Sequence, residues 1–135
     1  MKTIALIERG KDGSFGIYAP NIDCATWGGN GTTIEEAKKD FIAAYNELVE
    51  YYNATPSDPM PAELKDLEFD YQYDTASALA EFSFLNMSAF SKIIGINANL
   101  LRRYKQGEYI SHTQAQRIQN GINQLGRKMA AFVMV

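Results

Sequence analysis

The first third of the chain follows a short-period pattern. Residues 2–8, Lys-Thr-Ile-Ala-Leu-Ile-Glu, form a brief apolar run closed by Glu8 and Arg9, which has the length of a β-strand. Asp12-Gly13 is a hairpin signal, because glycine tolerates the positive φ that such turns require. Ser14-Phe15-Gly16-Ile17-Tyr18-Ala19 then alternates as a second strand, and Pro20 ends it. A third, short strand is predicted over 23–27, with Gly28-Gly29-Asn30-Gly31 as a flexible turn.

From Thr33 the period lengthens. Thr33-Ile34-Glu35-Glu36 is a capping box, in which the threonine accepts from an exposed backbone N–H and Glu36 reaches back to the cap. The helix it opens carries Ile34, Ala37, Phe41, Tyr45, Leu48 and Tyr52 on one face, three and four residues apart, and ends near Tyr52. Residues 53–61, with three of the chain's four prolines, are a stiff polar connection. Leu67-Glu68-Phe69-Asp70-Tyr71-Gln72-Tyr73 alternates strictly, as a strand with one face packed and one in water does. Residues 1–74 are therefore expected to form a β-β-β-α-β module with the long helix on one sheet face.

Residues 75–129 are helical in period. Asp74 or Thr75 caps a helix bearing Ala76, Leu79, Ala80 and Phe82. A short helix from Met87 to Gly95 is predicted to turn Phe90, Ile93 and Ile94 inward. A third starts at Ile96-Asn97, runs to about Lys105 and stops at Gly107. Ser111 caps a fourth, with the stripe Ala115, Ile118, Ile122, Leu125 and Met129. Residues 130–135, Ala-Ala-Phe-Val-Met-Val, are expected to be a final strand and a contact between two copies. The fold class predicted is α+β: a small sheet with one long packed helix, followed by an all-α helix-turn-helix domain.

Charge sharpens this division. The net −3 of the chain conceals six basic and fourteen acidic residues before position 75, against seven basic and two acidic after it. The halves thus carry −8 and +5, so the second suits nucleic acid and the first a basic protein. With 46% apolar residues, a core is within reach and wholesale disorder is not expected. One cysteine, Cys24, cannot form an internal disulfide. No apolar stretch approaches the roughly 20 residues needed to span a bilayer, and the opening run is too short for a signal peptide, so no membrane partner and a cytoplasmic location are expected.

No cofactor, metal or enzymatic role is expected. The glycines at 28–31 lack the Gly-Lys-Ser/Thr of a phosphate loop. Glu35, Glu36 and Asp40 lie on a helix as caps or solvated groups, and Glu68 and Asp70 share the polar side of one strand. Cys24 has no histidine near it, and the lone His112 sits at a helix start.

The chemistry lies in residues 88–107, Ser-Ala-Phe-Ser-Lys-Ile-Ile-Gly-Ile-Asn-Ala-Asn-Leu-Leu-Arg-Arg-Tyr-Lys-Gln-Gly. Gly95 permits a tight turn, and Phe90, Ile94, Ile96, Leu101 and Tyr104 set how two helices cross. Ala98, Asn99, Arg102, Arg103 and Gln106 are left outward. A major groove admits one helix, with its N-terminal residues nearest the bases. Asn99 suits adenine and Arg102 guanine, while Arg103, Lys105 and Lys92 suit phosphates. Ser88, Asn97, Ser111 and His112 add contacts from helix ends. Such a helix is also often no more than a solvated charged face, so a second function class stands beside the first: a non-catalytic protein-binding or structural module without DNA contact.

The segment resembles the helix-turn-helix of the Cro/repressor superfamily: small Ser91, Gly95 at the turn, β-branched Ile96, the cap Asn97, then Leu101, Tyr104 and Gly107. The whole chain resembles the HicB family of antitoxins, through Asp12-Gly13-Ser14-Phe15-Gly16-Ile17-Tyr18, Thr33-Ile34-Glu35-Glu36-Ala37 and the helix-turn-helix. It departs from that family where Pro20-Asn21-Ile22-Asp23-Cys24-Ala25 replaces Pro-Asp-Leu-Pro-Gly-Cys, and in an insertion around 53–66. The resemblance implies a truncated ribonuclease H-like sheet without catalytic carboxylates, capping a small basic RNA-cleaving toxin. It also implies a C-terminal domain that binds double-stranded DNA as a homodimer and represses its own operon.

Overall fold

A computed structural model describes residues 1–135. Strands β1 (Lys2–Arg9), β2 (Phe15–Tyr18) and β3 (Gly28–Gly31) precede the long helix α1 (Ile34–Ala54). A 3₁₀ turn (Ala62–Leu64) and strand β4 (Glu68–Tyr73) follow, and then helices α2 (Thr75–Glu81), α3 (Met87–Ile94), α4 (Ala98–Lys105) and α5 (His112–Ala130). The protein is thus α+β, with no helix long and apolar enough to cross a membrane. The sheet order is β3-β2-β1-β4, antiparallel except for the parallel pair β1–β4.

Alternation decides which face α1 covers. Ala5 and Ile7 of β1, with Phe15 and Ile17 of β2, point to one side and pack with Ile34, Ala37 and Phe41 of α1. Trp27 stacks on Phe41 at 5.6 Å, and Phe69 meets Phe41 and Tyr45 edge-on at 4.8 and 5.3 Å. The Tyr45 hydroxyl donates to Leu64 O at 2.6 Å and accepts from Leu67 N at 3.1 Å. That pair of bonds, with the buried Leu64, pins the segment of residues 53–66 to α1.

The third strand is not where the sequence pattern places it. Residues 23–27 are irregular, and the glycine run predicted as a turn is itself β3. The reason is contact rather than propensity. A side chain on Gly29 would overlap the backbone of Phe41 and Ala37, and a Cβ on Gly31 would lie 2.6 Å from Ala37 N. Only glycine lets the strand lie this close to α1. The α1 cap also differs in detail. Thr33 Oγ1 accepts from Glu36 N at 3.1 Å, but the Glu36 carboxylate binds the N–H and hydroxyl of Thr32, one residue earlier. Those bonds hold the Glu36 carboxyl below its ordinary range.

The cap of α2 is Asp74, whose Oδ1 accepts from Ser77 N at 2.8 Å. Its other oxygen accepts from Arg9 N at 3.2 Å, and the fully buried Ser77 hydroxyl donates toward Ile7 O at 3.0 Å and Asp74 Oδ1 at 2.6 Å. The ends of β1 and β4 and the start of α2 are thereby joined. Beyond this junction lies a second core of Leu79, Phe90, Ile96, Leu101, Tyr104 and Ile118. Two expectations fail here. Ile93 is 51% exposed, because an eight-residue helix packed by Phe90 and Ile94 turns it outward. Residues 130–135 form no strand: α5 continues to Ala130, and the residues after it are exposed, with no neighbouring strand to pair.

The close β3–α1 contact predicts that Gly29→Ala lowers stability by on the order of 1–3 kcal/mol. Gly16→Ala, where a Cβ meets only ordinary contacts at 3.5 Å and beyond, should leave the urea midpoint unchanged or slightly raised. Equal midpoints for the two variants would show that β3 does not need its bare backbone.

Candidate nucleic-acid interface

Helices α3 and α4 are joined by three residues, and each of the three has a defined task. Gly95 adopts φ 72°, a left-handed conformation, and its N–H donates to Ser91 O at 2.9 Å. No atom lies within 4 Å of where its Cβ would be, so the backbone angle rather than space requires glycine there. Ile96 inserts into the core, and Asn97 caps α4 by accepting from Asn99 N at 2.9 Å and Leu100 N at 3.3 Å. Asn86 caps α3 in the same way, accepting from Ala89 N at 3.0 Å. Helix α5 crosses close behind, since a side chain on Gly121 would overlap Ile94.

Burial divides α4 into two faces. Leu101 and Tyr104 are buried, whereas Asn99, Arg102 and Arg103, with Gln106 just beyond the helix, are exposed. On this open face the Arg102 guanidinium donates to Asn99 Oδ1 at 3.0 Å and to Ser88 Oγ at 2.8 Å. One arginine therefore bridges α4 to the first turn of α3. Lys92, one helical turn beyond Ser88, is exposed on the same side of α3. Arg103 pairs with Glu108 at 3.5 Å, a solvated ion pair of little energetic weight.

Other candidates sit elsewhere. Ala98 and Lys105 are half-buried, because they share the helix side of Leu101 rather than that of Asn99. The Lys105 carbonyl, at the end of α4, accepts from Arg9 Nη1 at 2.8 Å, so this end of the helix is turned to the sheet module. Asn97 is occupied as a cap, and Ser111 likewise accepts from Gln114 N. His112 is exposed at the start of α5, and its side chain makes no hydrogen bond to α4. The Arg9–Lys105 contact escaped the sequence reading because its partners lie 96 positions apart with no shared periodicity. The Ser88–Arg102 bridge crosses between helices and carries no spacing signal either.

Several carboxylates are engaged by their own backbone. Asp12 accepts from Ser14 N at 3.0 Å, Asp40 from Asn30 N at 2.8 Å and Glu36 from Thr32 N at 2.9 Å, while Asp74 caps α2. Glu68 and Asp70 stay exposed on the sheet face away from α1.

No protein-family model matches the chain, and no curated protein or solved structure matches it either.

The two faces of α4 predict opposite stability effects. Leu101→Ala should cost roughly 2–5 kcal/mol through a core cavity. Arg102→Ala, which removes only exposed hydrogen bonds, should cost about 1 kcal/mol or less. Urea unfolding followed by circular dichroism measures both. Comparable losses would mean that Arg102 holds α3 to α4 as a structural strut.

Proposed function

We propose that this chain is a DNA-binding transcriptional regulator of the HicB-like antitoxin type. In this reading α4 enters the major groove of double-stranded DNA, and the protein represses its own operon. The acidic α+β module then caps a small basic RNA-cleaving toxin and is itself non-catalytic. The observation that carries the DNA reading is the open α4 face: Asn99, Arg102 and Gln106 are exposed, while the hydrogen bond from Arg9 of the sheet module goes to the Lys105 carbonyl at the C-terminal end of the helix.

The bonding of that face supports base recognition. Asn99 Oδ1 keeps a second lone pair beside its bond from Arg102, and its amide N–H groups make no bond within the chain. Arg102 spends two of its five N–H donors on Asn99 and Ser88 and keeps three. The two side chains are therefore held side by side with capacity to spare, so less side-chain entropy is lost on binding. Lys92, rather than the half-buried Lys105, is the free lysine for a flanking phosphate. For the first module, the −8 charge and the open acidic positions Glu8, Glu68 and Asp70 favour a basic partner.

Titration against specific and random duplexes at several salt concentrations tests the reading. Arg102→Ala should relax preference at one base position by about 1–3 kcal/mol. Lys92→Ala should weaken all duplexes alike and lower the salt slope by about one. If Arg102→Ala binds every duplex as the parent does, α4 reads no base. A parent without salt-dependent DNA binding would leave the charged face as solvated surface and favour a protein-binding module.

A further inference from the structure

Arg102 is tied down at two points, and the two differ in kind. Asn99 lies three residues earlier on the same helix, so its bond from Arg102 Nη1 at 3.0 Å follows from α4 alone. Ser88 lies on α3, fourteen residues away, and its hydroxyl oxygen accepts from Arg102 Nη2 at 2.8 Å. A planar guanidinium held through both terminal nitrogens has its position and its plane fixed together. With Asn99 alone the group would still turn about a single bond.

The anchor on α3 is itself held. Asn86 caps the helix by accepting from Ala89 N at 3.0 Å, and the Ser88 carbonyl accepts from the Ser91 hydroxyl at 2.7 Å. Ser91 is buried, and Phe90 beside it belongs to the second core, so this turn of α3 has little freedom. Neither acceptor on Arg102 is charged, since the chain's only side-chain ion pair joins Arg103 to Glu108. A carboxylate would hold the fork more firmly, but it would cancel the charge and compete with a base or phosphate for the same donors. A hydroxyl and an amide oxygen orient the group and leave its charge, with three of its five N–H donors, for a ligand.

We propose that Ser88 is a positioning residue for base recognition: it fixes the plane of the Arg102 guanidinium, and so confines Arg102 to one base position, without touching DNA itself. The assignment rests on the DNA reading of α4. It gives Ser88 a different task from the direct contact expected of a helix end. A hydroxyl donating to a phosphate would add to the binding of every sequence alike, because phosphates carry no sequence information. A hydroxyl that holds Arg102 adds only where Arg102 meets its preferred base, since a bidentate pair with guanine needs the fork edge-on to O6 and N7. A loose fork still contacts DNA, but it also reaches phosphates and neighbouring bases, and discrimination falls.

The test uses the full chain and duplexes that the parent selects from a randomised pool, each with its single-base substitutions. The position at which Arg102→Ala loses preference identifies the base that Arg102 reads. Ser88→Ala should lower the preference at that same position by roughly three- to tenfold, the worth of one exposed hydrogen bond, while other positions keep theirs. It should change nothing further in a chain that already carries Arg102→Ala. Ser88→Thr, which keeps the hydroxyl, should read DNA as the parent does. Ser88 is exposed, so all these variants should keep the parent's helical circular dichroism. If Ser88→Ala retains full preference at the Arg102 position, Ser88 positions nothing and the proposal falls, while the DNA reading of α4 stands. Weaker binding to all duplexes alike, still present beside Arg102→Ala, makes Ser88 a phosphate contact and overturns it as well. A parent that selects no duplex, or an Arg102→Ala chain that reads every position as the parent does, removes the DNA reading and this role with it.

Discussion

The arrangement of this protein hangs on the bonds between Asp74, Ser77 and the end of β1. β1 and β4 are parallel neighbours, so their C-terminal ends lie together at one end of the sheet. The chain must leave β4 there, and Asp74 converts the exit into a helix start by capping α2 with one carboxylate oxygen and holding Arg9 N with the other. Its own N–H donates to Ile7 O at 2.9 Å, and the Ser77 hydroxyl approaches the same carbonyl. Burying these polar groups is tolerable only because each finds a partner, and the geometry that satisfies them fixes the direction of α2. Leu79 is thereby aimed into the second core, while Ala80 rests on the first.

That junction also sets where the sheet module meets α4. Arg9, whose backbone is held by Asp74, extends its guanidinium to the carbonyl at the C-terminus of α4, where the helix dipole favours a cation. The sheet module therefore holds the C-terminal end of α4, while Leu101 and Tyr104 pack into the second core and the Asn99–Arg102–Gln106 flank stays open. The same contact keeps an acidic module at the end of the helix rather than across its basic face. A chain with strongly opposed charge in its two halves can in this way offer two separate surfaces without neutralising either.

The glycines show how one residue type serves different constraints. At Gly95 the requirement is a left-handed angle in a tight turn. At Gly29 and Gly31 it is the approach of a strand to a helix backbone, and at Gly121 the approach of helix to helix. At Gly29, Gly31 and Gly121 the missing side chain is accounted for by what lies opposite, and at Gly95 by the backbone angle.

Local periodicity was enough to read α1, with its stripe and its Thr33 cap, and α5, with its Ser111 cap. The turn at Gly95 and the cap Asn97 were also legible, and of the outward set Ala98, Asn99, Arg102, Arg103 and Gln106 all but the half-buried Ala98 are exposed. These features repeat within a few residues, and their energetics are decided by neighbours in sequence. The glycine strand β3 was not legible, because glycine has no strand preference of its own and the strand exists through α1. Ile93 went to the wrong side because eight residues make barely two turns, too few to fix a stripe without knowing what packs on it. The apolar composition of 130–135 suggested a strand, but a strand needs a partner edge and the chain supplies none there. Ser88 and Arg9 gained their partners only when helices and strands distant in sequence were brought together. The sequence by itself determined the elements, their caps and the polarity of the two halves, because those depend on short-range hydrogen bonds and periodic burial. Only the tertiary structure decided that the sheet module meets the C-terminal end of α4, because that depends on bonds such as Asp74 to Arg9 and Arg9 to Lys105, which span 65 and 96 residues.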